Sequence, residues 1–537
     1  MSGVKARSRD VKRMLVGGIA VVVLSGLMCP GEVLSREIAL QVQCRDAETD
    51  VVSHKEVVIE TTKTAFIIVD MWDAHWCMTC SQRAASLVPR LNAVVAVARK
   101  LGVTVIWNPT DAIGAYAGTR MYQKGLVPEM NAPRTRNLAV KFTAPFAPSG
   151  YCVCGKGIQC LCHYIWTGQN PDLVLDDEYD YMAAASSQIY SILKKRDIEH
   201  VIYLGIATNV CLYTKPGGIK AIWGAGYDCL FTRDVTDAIT VYDPEKNYNL
   251  DIGTATSIAD LERGGIPSIN IKETFQELGL LEKELKTDYV LMAPWGKASR
   301  PYLFRDDFIL TLSYPEDADC KIYYTTDGTA PTVNSLRYSS PLRIDSTSTI
   351  NAAAFKDGCR VSLVSDGVYV KMPGEAPLPT VYLDSLDYKV DTFTHLHPAF
   401  KKSVWYPRKG LAFDGKPLNI RAKVYEKGLG FRAPSAIYYP IKPTYKRFVA
   451  KAGIDYNVFY EDRNNGRRLA PKCSVVFRVF IDGALMAESP VMLFGQEPWS
   501  FDVAIPAGSK NISLACTDAG THSLIDYGNW VEAGFVE

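Results

Sequence analysis

One cysteine, Cys211, closes the stretch Leu204-Gly205-Ile206-Ala207-Thr208-Asn209-Val210-Cys211, where an apolar run from Val201 to Leu204 gives way to residues suited to opening a helix. A thiol delivered from a strand onto a helix's first turn meets free N–H groups and the positive end of the helix dipole. Both favour thiolate over thiol. Cys211 is therefore the candidate nucleophile, with Thr208 or Asn209 as the cap; the alternative is a structural cysteine buried beside a sheet. A second apolar run, Thr64-Ala65-Phe66-Ile67-Ile68-Val69-Asp70, ends in a carboxylate followed by Met71, Trp72 and Asp73. In an open α/β sheet the ligand crevice lies beyond the carboxyl ends of the strands. Parallel strands ending at Asp70 and before Cys211 would bring an acid to a thiol whose proton it can take.

Asp70, with Gly205, Thr208 and Cys211 in G-x-x-T-x-x-C spacing, resembles the isochorismatase-like cysteine hydrolases, which include nicotinamidases and other amidases. The resemblance runs from Lys63 to Ile271. It implies that Asp70 is the general base, that Cys211 attacks a carbonyl, and that a lysine between them in sequence completes a triad. In that chemistry the Val210 and Cys211 backbone N–H groups would stabilise the oxyanion. The segment where the lysine is expected, Leu173-Val174-Leu175-Asp176-Asp177-Glu178-Tyr179-Asp180, is acidic instead. Lys156, His163 and Lys215, the last one helical turn after Cys211, are the replacement candidates. Trp72, His75, Trp107 and Thr208 are read as pocket residues. Asp73-Ala74-His75 also matches the place where nicotinamidases hold a metal, but their second-strand histidine motif is not evident at Trp107-Asn108-Pro109-Thr110-Asp111, so no metal and no cofactor are assigned.

The elements that must position these residues alternate in kind. Strands are expected at Ala65 to Val69, Thr104 to Trp107, Val201 to Leu204 and Tyr227 to Thr232, and helices at Ala84 to Lys100 and Ser186 to Lys195. That alternation predicts a parallel sheet with helices on both faces, over residues 36–287. Pro216-Gly217-Gly218 should kink the helix begun at Cys211.

Beyond a linker at Ala293-Pro294-Trp295-Gly296 the sequence turns to short alternating strands, Phe308 to Ser313, Lys321 to Thr325 and Thr349 to Ala354, the spacing of a β-sandwich. Ile322-Tyr323-Tyr324-Thr325-Thr326-Asp327-Gly328-Thr329-Ala330-Pro331-Thr332, with Tyr338, Pro341 and Ala354-Phe355-Lys356-Asp357-Gly358, resembles the C-terminal β-sandwich of chitobiase-type hexosaminidases, over residues 288–373. Residues 378–537 carry Tyr425-Glu426-Lys427-Gly428-Leu429-Gly430, Ser474-Val475-Val476-Phe477-Arg478-Val479-Phe480-Ile481-Asp482-Gly483 and Asp526-Tyr527-Gly528-Asn529-Trp530. Together these resemble the carbohydrate-binding module found beside glycosidases, which implies a jelly-roll sandwich. Aromatic rings stack on sugar faces, and Trp405, Tyr438 and Trp530 are the candidates. Phe431-Arg432 stands where that family has a histidine.

Lys5, Arg7, Arg9, Lys12 and Arg13 precede an apolar run from Met14 to Met28, of a length that suits a secretory signal cleaved near Ser35 better than a bilayer span. The alternative is an uncleaved membrane anchor. Removing Cys29 with residues 1–35 and reserving Cys211 leaves twelve of the fourteen cysteines, an even number compatible with disulfides in an exported chain. Cys320 with Cys359 and Cys473 with Cys516 are the expected pairs within the β units. Cys152, Cys154, Cys160, Cys162 and His163 form a cluster for which disulfides are preferred to zinc. A net charge of +1 over 537 residues gives no reason to expect nucleic-acid binding, and no segment after the signal could span a membrane, so no membrane attachment is expected once it is removed.

The sequence thus reads as an exported cysteine hydrolase acting on an amide-like C–N bond of a small molecule and tethered to a polysaccharide or glycan. The competing reading is a non-catalytic exported carbohydrate-binding protein whose hydrolase domain is degenerate.

Overall fold

A computed structural model describes residues 36–537 except 74, 76, 110–111, 146–152, 154–165, 167, 242–249, 299–300, 391–405, 458–459, 463–466, 470–472 and 520–525. The segment read as a secretory signal, with Cys29, and Lys156, the Cys152 to His163 cluster and Trp405 lie outside the described residues.

Eight strands form the first sheet: β1 (Glu37–Arg45), β2 (Val52–Glu60), β3 (Thr64–Val69), β4 (Thr104–Asn108), β5 (Tyr181–Met182), β6 (His200–Ile206), β7 (Asp228–Asp237) and β8 (Ser268–Ile269). Their spatial order is β2-β1-β8-β7-β6-β3-β4-β5. From β8 to β5 every neighbour is parallel, and the antiparallel hairpin β1–β2 closes one edge. β3 alternates strictly: Phe66 and Ile68 enter one apolar cluster with Val94 and Leu91, while Ala65, Ile67 and Val69 enter another with Ile189, Leu193 and Ile222. Helices therefore cover both faces, which is why β3 is apolar throughout Ala65 to Val69. The expected helix from Ala84 to Lys100 is two helices, Met78–Ser86 and Val88–Lys100, because Pro89 takes a first-turn position in the second.

Tyr302–Phe304, Ser365–Lys371, Ser348–Lys356, Lys321–Thr325 and Leu336–Arg337 make one sheet of the second unit, and Leu342–Ile344, Phe308–Ser313 and Leu291–Ala293 another. Asp327-Gly328 is the expected turn: Gly328 has φ +79° and Asp327 Oδ1 accepts from Thr329 N at 3.0 Å. This unit docks directly on the first. Met292 N donates to Gln82 Oε1 at 2.8 Å, and buried Arg90 pairs with Asp288 and Glu316.

In the third unit two six-stranded sheets pack face to face around Trp530, Phe448, Phe477, Phe431 and Tyr439. No helix among the described residues is long and apolar enough to cross a membrane.

Candidate active site and carbohydrate-binding module

Strand order reverses between β3 and β6: β4 and β5 follow β3 to one side, whereas β6 returns to its other flank. A crevice opens at the carboxyl end of such a switch point. Asp70 leaves β3 there, and the chain leaving β6 reaches Cys211. The pair Val69↔Gly205 explains the glycine of the motif, since Gly205 has φ +98° and a Cβ there would stand 2.1 Å from Val69 O. Asp70 itself holds φ +45°, a conformation uncommon outside glycine, asparagine and aspartate.

The loop between β6 and Cys211 is pinned to β7. Thr208 N donates to Asp237 O at 2.8 Å, the Thr208 and Thr236 hydroxyls lie 2.8 Å apart, and Thr236 Oγ1 donates to Gly205 O at 2.7 Å. Asn209 exchanges two hydrogen bonds with the Ile239 backbone, at 2.9 and 3.1 Å. Thr208, expected in the pocket, is thus fully buried as a brace, because its N–H and hydroxyl are both spent on β7.

The helix begun by Cys211 ends at Thr214. Pro216 forces the residue before it out of helical geometry, and Lys215 accordingly has φ −65° and ψ 164°. Pro216-Gly217-Gly218 stops the helix instead of kinking it, and a new one starts at Ile219. This break turns Lys215 back into the sheet. Its Nζ donates to Asp70 Oδ1 at 2.7 Å and to Asn108 O at 2.8 Å, and Asn108 Nδ2 holds Pro216 O at 3.1 Å. Lys215 and Asp70 are both buried, so this is a desolvated ion pair. Of the three candidate cations, Lys215 is the one brought to Asp70 and Cys211 among the described residues.

Burial pushes the Cys211 thiol well above the usual thiol range, and the Asp70 carboxylate, which also hydrogen-bonds it, pushes it further; Lys215 and the Ala207 N–H pull the other way. The expected dipole-stabilised thiolate is therefore corrected. A helix of four residues supplies too little field to offset that desolvation. The oxyanion expectation changes as well: the Val210 N–H already donates to Ala207 O at 3.1 Å, which leaves Cys211 N–H as the donor of that pair.

Trp72, His75 and Trp166 form a stack beside the end of β3, with ring centroids 4.8 Å apart for Trp72–His75 and 5.3 Å for Trp72–Trp166. Burial lowers His75 to about 4, so the imidazole is neutral, and its Nδ1 accepts from Cys77 N at 3.1 Å. Trp107 is not a pocket residue. It is fully buried with Nε1 donating to Asp180 Oδ2 at 2.7 Å, and Arg99 holds the same carboxylate. The acidic segment before β5 thus has a structural task, and Tyr179 turns away to donate to Val103 O at 3.0 Å. Among the described residues no group of three or more His, Cys, Asp or Glu side chains is arranged to hold a metal.

Cys320 and Cys359 are free thiols. Phe355 pairs with Lys321 on one edge of its strand and with Arg360 on the other. Two strand spacings, about 9.6 Å, therefore part the two cysteines, beyond the ~7 Å a disulfide spans. Cys516 is also a free thiol, so its expected bridge to Cys473 is not made.

In the third unit Trp530 is fully buried, with ring centroids 5.2 Å from Phe477 and 4.9 Å from Phe501. It belongs to the core because alternate residues of Tyr527–Val536 face inward. Phe431 is core by the same alternation. Tyr438 is half-buried on the outer side of its strand. Phe413 and Tyr527 meet at a tilt of 51° with ring centroids 5.2 Å apart and the Arg432 guanidinium 5.9 Å from each ring, an aromatic cluster the sequence reading did not single out.

Residues 379–536 match the family described as NPCBM/NEW2 domain, and residues 305–365 match the Chitobiase/beta-hexosaminidase C-terminal domain. The chain is 31% identical over 123 residues to a protein of Renibacterium salmoninarum named "Putative endo-alpha-N-acetylgalactosaminidase". That match spans 23% of this chain and 7% of that protein. Among solved structures, a CBM51 module from Clostridium perfringens GH95 in complex with methyl-galactose is 23% identical, over 28% of this chain and 97% of that one, with a TM-score of 0.23. A cysteine hydrolase from Pseudomonas syringae pv. phaseolicola is 15% identical, over 41% of this chain and 95% of that one, with a TM-score of 0.24. The rear of the chain thus carries carbohydrate-binding-type β-sandwich modules, preceded by an α/β sheet with an acid, a thiol and an amine at its switch point.

Proposed function

We propose that the protein is an exported isochorismatase-like cysteine hydrolase that cleaves an amide-like C–N bond and is held on glycans by its C-terminal module. The observation that carries this reading is the buried contact of Lys215 Nζ with Asp70 Oδ1 at 2.7 Å, beside the Cys211 thiol. A degenerate scaffold has no need of a desolvated lysine aimed at a carboxylate and a thiol, since burying two charges costs several kcal/mol before their attraction repays it, of order 1–10 kcal/mol.

Because the resting thiol is protonated, attack and deprotonation are concerted. Asp70 takes the Cys211 proton as Sγ bonds to the substrate carbonyl carbon, and the carbonyl electron pair moves to oxygen, which the Cys211 N–H receives. Collapse of the tetrahedral intermediate breaks the C–N bond, and the Asp70 proton leaves with the amine. A water, deprotonated by Asp70, then attacks the thioester, releasing the acid and restoring the thiol. Lys215 holds the Asp70 carboxylate in place through both half-reactions. The experiment is a screen of primary amides and N-acyl compounds, read by mass spectrometry for an acyl adduct on Cys211 and by amine release. Adduct and turnover in the wild type, absent in Cys211→Ala and Asp70→Asn, support the reading. No adduct from any amide class, with glycan binding intact, favours the non-catalytic binding protein.

A further inference from the structure

Asp70 and Cys211 arrive from different strands, so their meeting depends on what fixes the chain beyond each strand end. The order β7-β6-β3 puts β6, which delivers Cys211, between the other two. Beyond β3 the chain enters the helix Met78–Ser86, and beyond β6 it passes Thr208, whose N–H is held by the Asp237 carbonyl at the end of β7. Arg83 of that helix reaches over β6 and closes on Asp237. Its Nε donates to Asp237 Oδ1 at 3.0 Å and Oδ2 at 2.9 Å, and its Nη1 donates to Asp251 Oδ1 at 2.6 Å. Thr254 Oγ1 donates to Asp237 Oδ1 at 2.7 Å and accepts from Ala238 N at 3.1 Å. The carboxylate and carbonyl of Asp237 and the amide that follows it are thus all fixed.

The helix that carries Arg83 is itself anchored, since Gln82 Oε1 accepts from Met292 N of the second unit at 2.8 Å. Arg83 is buried, and burial works against its charge; Asp237 and Asp251 outweigh that and keep the guanidinium charged. Apolar side chains can often replace such a buried pair at little cost in stability. What they cannot replace is the planar fork, which fixes a carboxylate in direction as well as distance. The direction fixed here is that of Asp237, from whose carbonyl the loop to Cys211 hangs.

We propose that Arg83 is a positioning residue: by locking Asp237 it holds the Thr208–Cys211 loop where the thiol and the Asp70 carboxylate are hydrogen-bonded. This role rests on the reading of Asp70 and Cys211 as base and nucleophile, but the contact can be tested on the thiol alone. Without the fork, the Asp237 carboxylate keeps Thr254 as its partner among the described residues, and the loop is free to carry the thiol away from Asp70.

The test is the rate of Cys211 alkylation against pH in the full chain, comparing the wild type with Arg83→Met and Arg83→Lys, each checked for native circular dichroism. The sign separates movement from charge. Loss of a cation with the loop in place would raise the thiol and slow labelling. A loop that releases the thiol from burial and from Asp70 lowers it instead. Arg83→Met should therefore speed labelling near pH ~7.5 by about tenfold, the gain in thiolate for each unit by which the titration falls. Arg83→Lys keeps the charge and loses the fork, and should speed it by about threefold. Should Arg83→Met fail to fold, Arg83→Lys decides. A purely structural arginine would lower the denaturation midpoint and leave the labelling profile of the folded protein unchanged or slower, and either profile overturns the proposal. Faster labelling in the Arg83 variants beside a wild type that turns over no amide supports the positioning contact and counts against the hydrolase reading, so the two failures are distinguishable.

Discussion

Lys215 is the residue on which the catalytic reading turns. In the family the chain resembles, the lysine precedes the cysteine; here the only cation at the Asp70–Cys211 pair among the described residues follows it by four positions. Lys215→Met should leave Asp70 without its fixed partner and lower kcat/KM about 10²- to 10⁴-fold, measured on whichever amide the screen returns. Lys215 was visible in the sequence as one of three candidates. Nothing in a helical-wheel reading brings it inward, because the signal is the proline after it. Trp107 and Trp530 misled in the opposite direction: each is a large ring with an N–H, and whether it faces a ligand or the core depends on strand register, which residue type alone does not set.

Two backbone positions at the element scale make the site possible. Gly205→Ala places a methyl 2.1 Å from Val69 O at a φ of +98°, and should cost at least about 2 kcal/mol, read as a lowered denaturation midpoint. Pro216→Ala acts differently. It permits the helix to run on past Thr214 and swing Lys215 away, so turnover should fall more than tenfold while the midpoint moves by less than about 1 kcal/mol. Steady-state kinetics beside a urea titration separates the two effects. The strands that carry Asp70 and Cys211 were legible because a parallel strand buried on both faces is a continuous apolar run. The helix break at Leu87 was less so: Pro89 is as compatible with a helix start as with a kink, and tertiary packing selects the start.

Across the whole molecule, the first and second units act as one body through Arg90, which is buried against Asp288 of the junction and Glu316 of the second unit. Arg90→Leu takes a cation from buried Asp288, which keeps Lys272, and from the more exposed Glu316, and should destabilise the protein by about 1–3 kcal/mol, observed as an earlier or split thermal transition. Neither unit's sequence predicts this ion pair, since its partners lie about two hundred residues apart. The free thiols Cys320 and Cys359 carry a second expectation: reductant should leave the stability of the second unit unchanged. Even cysteine parity suggested otherwise, but parity constrains only the count, and pairing requires neighbours within reach. The rear β-sandwiches were legible from motif and strand spacing alike.

The central claim is that Asp70 and Lys215 act on the Cys211 thiol, and the most direct measurement is the rate of Cys211 alkylation against pH in the wild type, Asp70→Asn and Lys215→Met, located by peptide mass spectrometry. A wild-type thiol that labels slowly at pH 7–8 and titrates well above the free-cysteine value of about 8.5 is expected. Asp70→Asn removes a negative charge that raises the thiol's pKa, so its profile should shift to lower pH; Lys215→Met removes a positive charge that lowers it, so its profile should shift higher. Three superimposable profiles would contradict the account, because a thiol indifferent to both charges is not part of a triad with them.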